Sequence, residues 1–452
     1  MFDRTFLRSY APNQLPFVSA GTMLALLLTC PGASAGRPHT LSSFCAKLSC
    51  SDGSSPSADL IMDAAGNLYG TTLAGGDNSS GTLFRISRDA NGKWHRKVLH
   101  SFCSGGYPCS DGAAPAGKLV IDTSGNVYGT ALSGGGDGNA GGVVFEAVPD
   151  SAHNKWSVKI LYAFCAQPSC ADGKAPSSGL TYEGASSGTL YDGQSPLYGS
   201  TEYGGAANYG TAFRIQPSNG GWDETVIYDF CSKAGCADGA QPWQGLVMNS
   251  SGDIFGVTYG RSAPQYGVVF ELSGRGDRWR ETVLHTFCQQ ENCADGYGPN
   301  GVSLDSKGAI YGTAYGGGSN GGGTLFRILP RRTDSPYTVL YNFCSGQDCD
   351  DGAAPSADLA VDARGNLYGT TYYGGSYYID RDGLGGGTLF RLTKRGIYTV
   401  LHNFCESSSC ADGEYPNAGV LLDRTGSIFG TTQLGGKHGS MYLGGTAFQL
   451  GH

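Results

Sequence analysis

Tyr203, Tyr209, Tyr259, Tyr266, Tyr315, Tyr372, Tyr373, Tyr377, Tyr378 and Tyr442 stand in glycine-rich segments, and Trp243 directly follows a proline. Tyr and Trp join an apolar face to a hydrogen-bonding tip, which suits stacking on a sugar ring or a partner's side chain. They form the candidate ligand-binding set, with Trp243 as its anchor. Catalysis is harder to place. Glycoside hydrolysis needs two carboxyl groups roughly 5–10 Å apart, one of which keeps its proton near neutrality. Glu202, Glu414 and Asp380 are unique acids that could serve, and no geometry joins them in the sequence. Catalytic residues stay unassigned. Two motif matches carry nothing. Gly136-x-Gly138-x-x-Gly141 has dinucleotide spacing and Gly317-x-Ser319-x-Gly321 that of a nucleophile elbow, but neither precedes a helix.

Cysteine offers a second chemistry. Of 15 cysteines, all but Cys30 fall into local pairs: Cys45/Cys50, Cys103/Cys109, Cys165/Cys170, Cys231/Cys236, Cys288/Cys293, Cys344/Cys349 and Cys405/Cys410. An even set in an exported chain reads as a disulfide framework. Such gaps without histidine partners fit zinc poorly, so no metal is expected, and no cofactor. A loop this short adds about 2 kcal/mol per bridge, which makes the bridges staples and not the source of the fold.

A repeat must position these residues. Phe-Cys followed by Cys-x-Asp-Gly recurs with first cysteines at 45, 103, 165, 231, 288, 344 and 405. The sixth copy shows the grammar: Asp358 to Asp362, Gly365 to Thr371, Gly387 to Leu392 and Tyr398 to Phe404. Each piece is short, rich in β-branched and aromatic residues, and bounded by Gly, Asp or Asn. They are read as strands A to D of one blade. Seven such units predict an all-β, seven-bladed β-propeller with four antiparallel strands per blade. The ends complement each other. His39 to Phe44 matches a D strand, while the last copy stops after the C strand Gly445 to Leu450. The N-terminal strand should complete the last blade and close the ring, leaving a monomer without open edges.

The run Asp362 to Gly375 followed by Gly387-Thr-Leu-Phe390, and its counterpart Asp63 to Gly76 with Gly81 to Phe84, resembles the bacterial GloVer tandem repeat, named for Gloeobacter and Verrucomicrobia. The resemblance spans essentially the whole chain after residue 35. It implies an exported propeller and assigns no activity. Many relatives carry a C-terminal surface anchor, so this chain, with Gly451-His452 after its last strand, resembles a released form.

Residues that recur in every copy are expected to serve the blade, and departures to serve function. Asp52, Asp111, Asp172, Asp238, Asp295, Asp351 and Asp412 read as turn residues. Calcium would need more converging oxygens. Trp94, Trp156, Trp222 and Trp279 each precede a D strand, with Tyr337 and Tyr398 in the same place, and read as packing. His100, His285 and His402 share a slot with Tyr162, Tyr228 and Tyr341, which argues against a catalytic or metal role. Arg85, Glu146, Arg214, Glu271, Arg327 and Arg391 follow the C-strand Phe and could pair between neighbouring blades. After the proline of the D–A loop, six copies hold Ser57, Ala116, Ser177, Asn300, Ser356 and Asn417, against Trp243 in the fourth. Copy three expands its A–B turn from Glu183 to Pro196, and copy six its B–C loop from Ser376 to Gly383, with Asp380, Arg381 and Asp382.

Composition agrees. The 74 glycines among 452 residues are too costly for a helical protein. Net charge is −8 without a basic stripe, which excludes nucleic acid as a partner. Residues 1–35 read as a signal peptide, with Arg4 and Arg8, an apolar Leu15 to Thr29 and a cleavage site at Ala33-Ser34-Ala35. Lipidation at Cys30 is the weaker alternative, and no later segment could span a bilayer. Residues 36–452 form one propeller domain. The expected protein is secreted or periplasmic and non-catalytic, and binds polysaccharide or a cell-surface protein through the face that carries the stapled loops. A polysaccharide lyase or glycoside hydrolase at the channel mouth, and a structural envelope protein, are the alternatives.

Overall fold

Strands Leu367–Tyr373, Thr388–Leu392 and Tyr398–Asn403 of the sixth repeat pair in antiparallel sequence order, with the short Ala353–Pro355 and Ala360–Val361 on the inner side. The computed structural model describes residues 37–136, 141–153, 155–260, 266–276, 278–330, 336–376, 385–439 and 443–451. The signal segment with Cys30, and Tyr377, Tyr378, Asp380, Arg381, Asp382 and Tyr442, lie outside these residues. Seven sheets of this kind form a ring, so the chain is a seven-bladed β-propeller. Blade 3 departs from the pattern, because its A strand is reduced to the bridges Lys174–Tyr203 and Thr181–Tyr198.

The ring closes as the sequence requires. His39–Ser43 pairs antiparallel with Thr446–Leu450, in the register His39 to Gln449 and Ser43 to Thr446. The last blade is therefore built from both ends of the described chain.

Two recurring residues explain why a blade has this shape. The B-strand glycine (Gly70 in blade 1, Gly369 in blade 6) lies under the ring of its own C-strand phenylalanine. A methyl group on Gly70 would sit 2.7 Å from Phe84, so any side chain there would displace the ring. The phenylalanine before each first cysteine then wedges edge-on against the C-strand phenylalanine of the next blade. Phe44 meets Phe84 at 5.0 Å, Phe164 meets Phe213 at 5.0 Å and Phe404 meets Phe448 at 5.1 Å. These rings are buried, and each such contact adds about 0.5–1.5 kcal/mol beyond area burial. The core is thus divided among the seams between blades.

Seven local disulfides are formed: Cys45–Cys50, Cys103–Cys109, Cys165–Cys170, Cys231–Cys236, Cys288–Cys293, Cys344–Cys349 and Cys405–Cys410. Cys50 is buried, whereas the second cysteines Cys109, Cys170, Cys236, Cys293, Cys349 and Cys410 are half-buried, at the edge of the core and not within it. Each of these second cysteines takes a left-handed backbone conformation, as at Cys109 with φ 58° and Cys349 with φ 55°. That bend turns the chain back so that the carbonyl of the second cysteine accepts the N–H of the Asp-Gly glycine, as Cys109 does from Gly112 and Cys349 from Gly352. Each bridge thereby staples a D–A loop that the Asp-Gly aspartate organises. Asp172 accepts the N–H groups of Ala166 and Gln167 and the hydroxyl of Tyr162. His100, His285 and His402 reach Asp111, Asp295 and Asp412 in the same way, at 2.8, 3.2 and 3.0 Å.

One expectation needs correction. Tyr337 and Tyr398 do not replace the D-strand tryptophans. They face Ile328 and Leu392, as Arg96 faces Ile86, whereas Trp94 faces Arg88 two residues earlier on the strand. The D strands of blades 5 and 6 start later, and their tyrosines stack on the preceding blade: Tyr337 on His285 at 3.6 Å and Tyr398 on Tyr341 at 3.9 Å. Of the charges after the C-strand phenylalanine, Arg214 donates to the Gly276 carbonyl of the next blade at 3.0 Å, while others meet partners in their own sheet. Arg85 lies opposite Tyr69, and Glu146 accepts the Tyr128 hydroxyl at 2.9 Å. Among the described residues no helix is long and apolar enough to cross a membrane.

Candidate channel site

The A strands surround a central cavity of about 980 Å³ to which every blade contributes. Its mouth on the stapled face is set by the residue three positions after each B-strand glycine: Leu73, Leu132, Glu202, Tyr259, Tyr315, Tyr372 and Gln433 in blade order. One side is therefore leucine and the other tyrosine, with Glu202 and Gln433 at the two junctions. All but Tyr259 line the cavity, and Tyr259 instead backs Trp243 at 5.6 Å.

The bridges stand back from this mouth. Neither the first cysteines Cys45, Cys103, Cys165, Cys231, Cys288, Cys344 and Cys405 nor the second cysteines Cys50, Cys109, Cys170, Cys236, Cys293, Cys349 and Cys410 belong to the cavity lining. The stapled loops therefore carry the rim without offering sulfur to the cavity.

Trp243 lines the mouth and keeps 37% of its surface exposed. Its backbone carbonyl accepts the Ser177 hydroxyl at 3.1 Å, which fixes the loop that carries the indole. Asn300 and Ser356, in the same slot of other blades, donate to the carbonyls of Pro355 and Pro416. The small residues after the proline thus lace one blade to the next, and Trp243 adds a ring to that lacing. Tyr372 stacks on Tyr415 at 4.8 Å, Tyr373 meets both, and the Tyr372 hydroxyl reaches Gln433.

The remaining aromatics separate. Tyr315 and Tyr373 line the cavity. Tyr203 and Tyr209 are exposed on the B–C loop of blade 3, outside the lining. Tyr266 packs on Tyr297 at 6.2 Å against the core of blade 5. Glu202 lines the mouth, where burial pushes its carboxyl up and the Tyr203 hydroxyl partly opposes this. Glu414 lies beside the Cys405 and Cys410 sulfurs, which bond to each other and so are not metal ligands.

Deeper in the channel the structure assembles a group that the sequence reading passed over. Three residues after the A-strand proline stand Asp59 in blade 1, Lys118 in blade 2 and Asp358 in blade 6, against glycine in blades 3, 4 and 7. All three charged residues line the cavity. The rule of looking for departures between copies would have found them, but it was applied one residue after the proline and not three. Asp59 Oδ1 accepts the Gly419 N–H at 2.6 Å. Asp358 Oδ1 is covered and has no hydrogen-bond partner. Burial and the neighbouring Asp59 charge hold the Asp358 carboxyl well above the usual range, with Lys118 pulling the other way.

At the far end the expanded A–B turn of blade 3 folds inward. Ala185, Ser186, Gly188 and Leu190 line the cavity there. Tyr191 is buried against Tyr128 at 5.1 Å, and its carbonyl accepts the Thr123 N–H, which ties the turn to blade 2.

The repeat grammar that builds this channel is a known one: a family profile matches residues 32–195 and 187–448. The chain belongs to the Gloeobacter/Verrucomicrobia repeat family. No curated protein matches it. Among solved structures, this family member resembles the extracellular domain assigned to a one-component system of B. thetaiotaomicron, with 11% identity and a TM-score of 0.51. That match covers 91% of this chain and 42% of the other, so the chain spans about two fifths of the neighbour's length. A protein assigned as a 6-phosphogluconolactonase of Bacteroides uniformis is also similar, at 13% identity over 77% of this chain and 84% of that one, with a TM-score of 0.43. At these identities the likeness speaks for the fold alone.

Proposed function

We propose that this protein is an exported propeller that binds polysaccharide at the stapled-face mouth of its channel. The observation that carries the reading is the aromatic arc of Trp243, Tyr259, Tyr315, Tyr372 and Tyr415 beside a cavity of about 980 Å³. Aromatic faces stack on pyranose rings, and Glu202 and Gln433 at the ends of the arc offer hydrogen-bond partners for hydroxyls. A concave mouth of this kind suits a glycan chain better than a flat protein surface. Seven disulfides support an oxidising compartment, and the signal-like residues 1–35 supply the route to it. A glycan-array screen with the purified protein tests the reading. Binding to one class of polysaccharide is expected, and failure to bind any would remove it.

A further inference from the structure

We propose that Asp358 and Asp59 act as general acid and general base and hydrolyse a glycosidic bond of a chain end seated in the channel. This rests on the glycan-binding reading above and adds a reaction to it.

The unequal settings of the two carboxyl groups carry the inference. They occupy the same slot of blades 6 and 1, and each leans on the blade before it. Asp59 receives a backbone N–H from Gly419 of blade 7. Asp358 leans on blade 5, which is one residue shorter between its proline and the following aspartate, Pro299 to Asp305. The shortening presents the Cα of Gly301 where blade 7 presents an N–H, and a methyl group at Gly301 would collide with Asp358 Oδ1. Asp358 Oδ1 is covered and receives no donor, which disfavours the charged form of this carboxyl. Two carboxyls in unequal surroundings, one given a donor and the other not, fit an acid and a base. The raised pKa of Asp358 agrees with that assignment.

The cavity supplies the second observation. Both acids line it between an aromatic mouth and the inward-folded turn of blade 3. Of the glycines in this slot, Gly245 of blade 4 has open space around it, across the ring from the acids, whereas Gly419 of blade 7 lies between them against Asp59. The blade 3 turn, with Leu190, lines the same channel and is where a seated chain end would meet it.

The step balances with one water. Asp358 gives its proton to the glycosidic oxygen as the bond from that oxygen to the anomeric carbon breaks. Water adds to the anomeric carbon and loses a proton to Asp59. Two sugar hydroxyl products leave, and the proton on Asp59 returns to Asp358 through water in the channel. Lys118, exposed on the same ring, offsets the negative charge of the pair.

The test uses the intact protein, the glycans found by the array, and a panel of 4-nitrophenyl glycosides. Reducing ends should appear at a rate with a bell-shaped pH profile. Asp59→Asn and Asp358→Asn should each lose about 10²–10⁴-fold in turnover while glycan binding persists. The Asp358→Asn loss should shrink on 4-nitrophenyl substrates, whose leaving group needs little protonation. Azide should restore turnover to Asp59→Ala, which a structural role would not allow. Asp358→Glu serves if the Asn variant does not fold. Glycans that bind without being cleaved, or turnover unchanged in the Asn variants, would overturn the hydrolytic proposal and leave the binding reading intact. Absence of any glycan binding removes both.

Discussion

Arg96 Nη2 lies 2.6 Å from Asp52 Oδ2, across the seam between the last and first blades. In other stapled loops a His or Tyr of the preceding D strand reaches the aspartate, as His100 reaches Asp111. The D strand at the seam offers Ser42 there, which is too short. Arg96 fills the gap, bonds the Ser42 hydroxyl at 2.8 Å and lies over the Phe44 ring at 4.2 Å. Both charged side chains are buried, so Arg96→Ala should cost about 3–5 kcal/mol by stranding Asp52. Burial pushes the Asp52 carboxyl up, but the Arg96 hydrogen bond and charge, with the N–H groups of Lys47 and Ala46, bring it below its ordinary value. Its stabilising share is therefore present above about pH 4 and lost as pH falls through the lower folded value. Urea midpoints measured down to about pH 2 should converge for wild type and variant at the acid end.

Deleting residues 36–44 should unseal the ring. The edge of Thr446–Leu450 would be exposed, and Phe84 would lose the partner it holds in Phe44. A large fall in melting temperature and a shift to oligomers by light scattering are expected. A monomer with an unchanged melt would contradict closure by this strand.

A non-reduced digest should yield seven peptides each carrying one local bridge, from Cys45–Cys50 to Cys405–Cys410. Replacing one pair by serine should cost about 2 kcal/mol and leave the circular dichroism spectrum unchanged. Links between blades, seen by mass spectrometry, would contradict the staple role.

Trp243→Ala should separate binding from folding. The indole is over a third exposed, so the melt should barely move. Loss of an anchoring aromatic is worth about 2 kcal/mol or more, roughly thirtyfold in affinity. Titration with a glycan from the array reads the difference. A large drop in melting temperature with affinity kept would place Trp243 in the structural lacing alone.

Glu224 should destabilise the fold in alkali. Burial, then the charges of Asp172 and Asp229, push its carboxyl up to about 8, and Oε1 has no hydrogen-bond partner. The folded form holds a proton that the unfolded chain has already released, so stability falls as pH rises from about 4 through that value. Glu224→Gln should match wild type near about pH 4 and exceed it near about pH 9 in thermal melts.

Blade number, strand order and ring closure were legible because each is written many times over. A strand needs only alternating apolar residues between turns, and the offset of the two ends states the closure directly. The cysteine pairing was legible for the same reason, since every cysteine after Cys30 has its partner five or six residues away. The D-strand tyrosines were misplaced because strand starts vary by two residues, and only pairing with the C strand fixes the register. The mouth was half legible. Trp243 stood out as a large residue among small ones and Tyr315 and Tyr372 as aromatics in glycine-rich loops, and all three line the cavity. Tyr266 looked identical in sequence, yet its ring turns to Tyr297, which depends on the twist of the next blade. Asp59 and Asp358 escaped notice because an aspartate near a turn looks structural. Their shared position on the channel wall appears only when seven strands are brought to one axis.

Closure by the strand His39–Ser43 also sets an order of events in synthesis. This strand leaves the ribosome before any other described strand, and Thr446–Leu450 leaves last. At about 5–20 residues per second, its partner is missing for on the order of 20–80 s. Each middle blade can pair its own four strands as soon as they emerge, but the seam cannot form during elongation at all. The nascent protein is therefore an open arc with one unpaired edge, and sealing it is a single late event whose rate depends on the reunion of the two ends. A folding helper that shields one short N-terminal strand would protect the whole molecule.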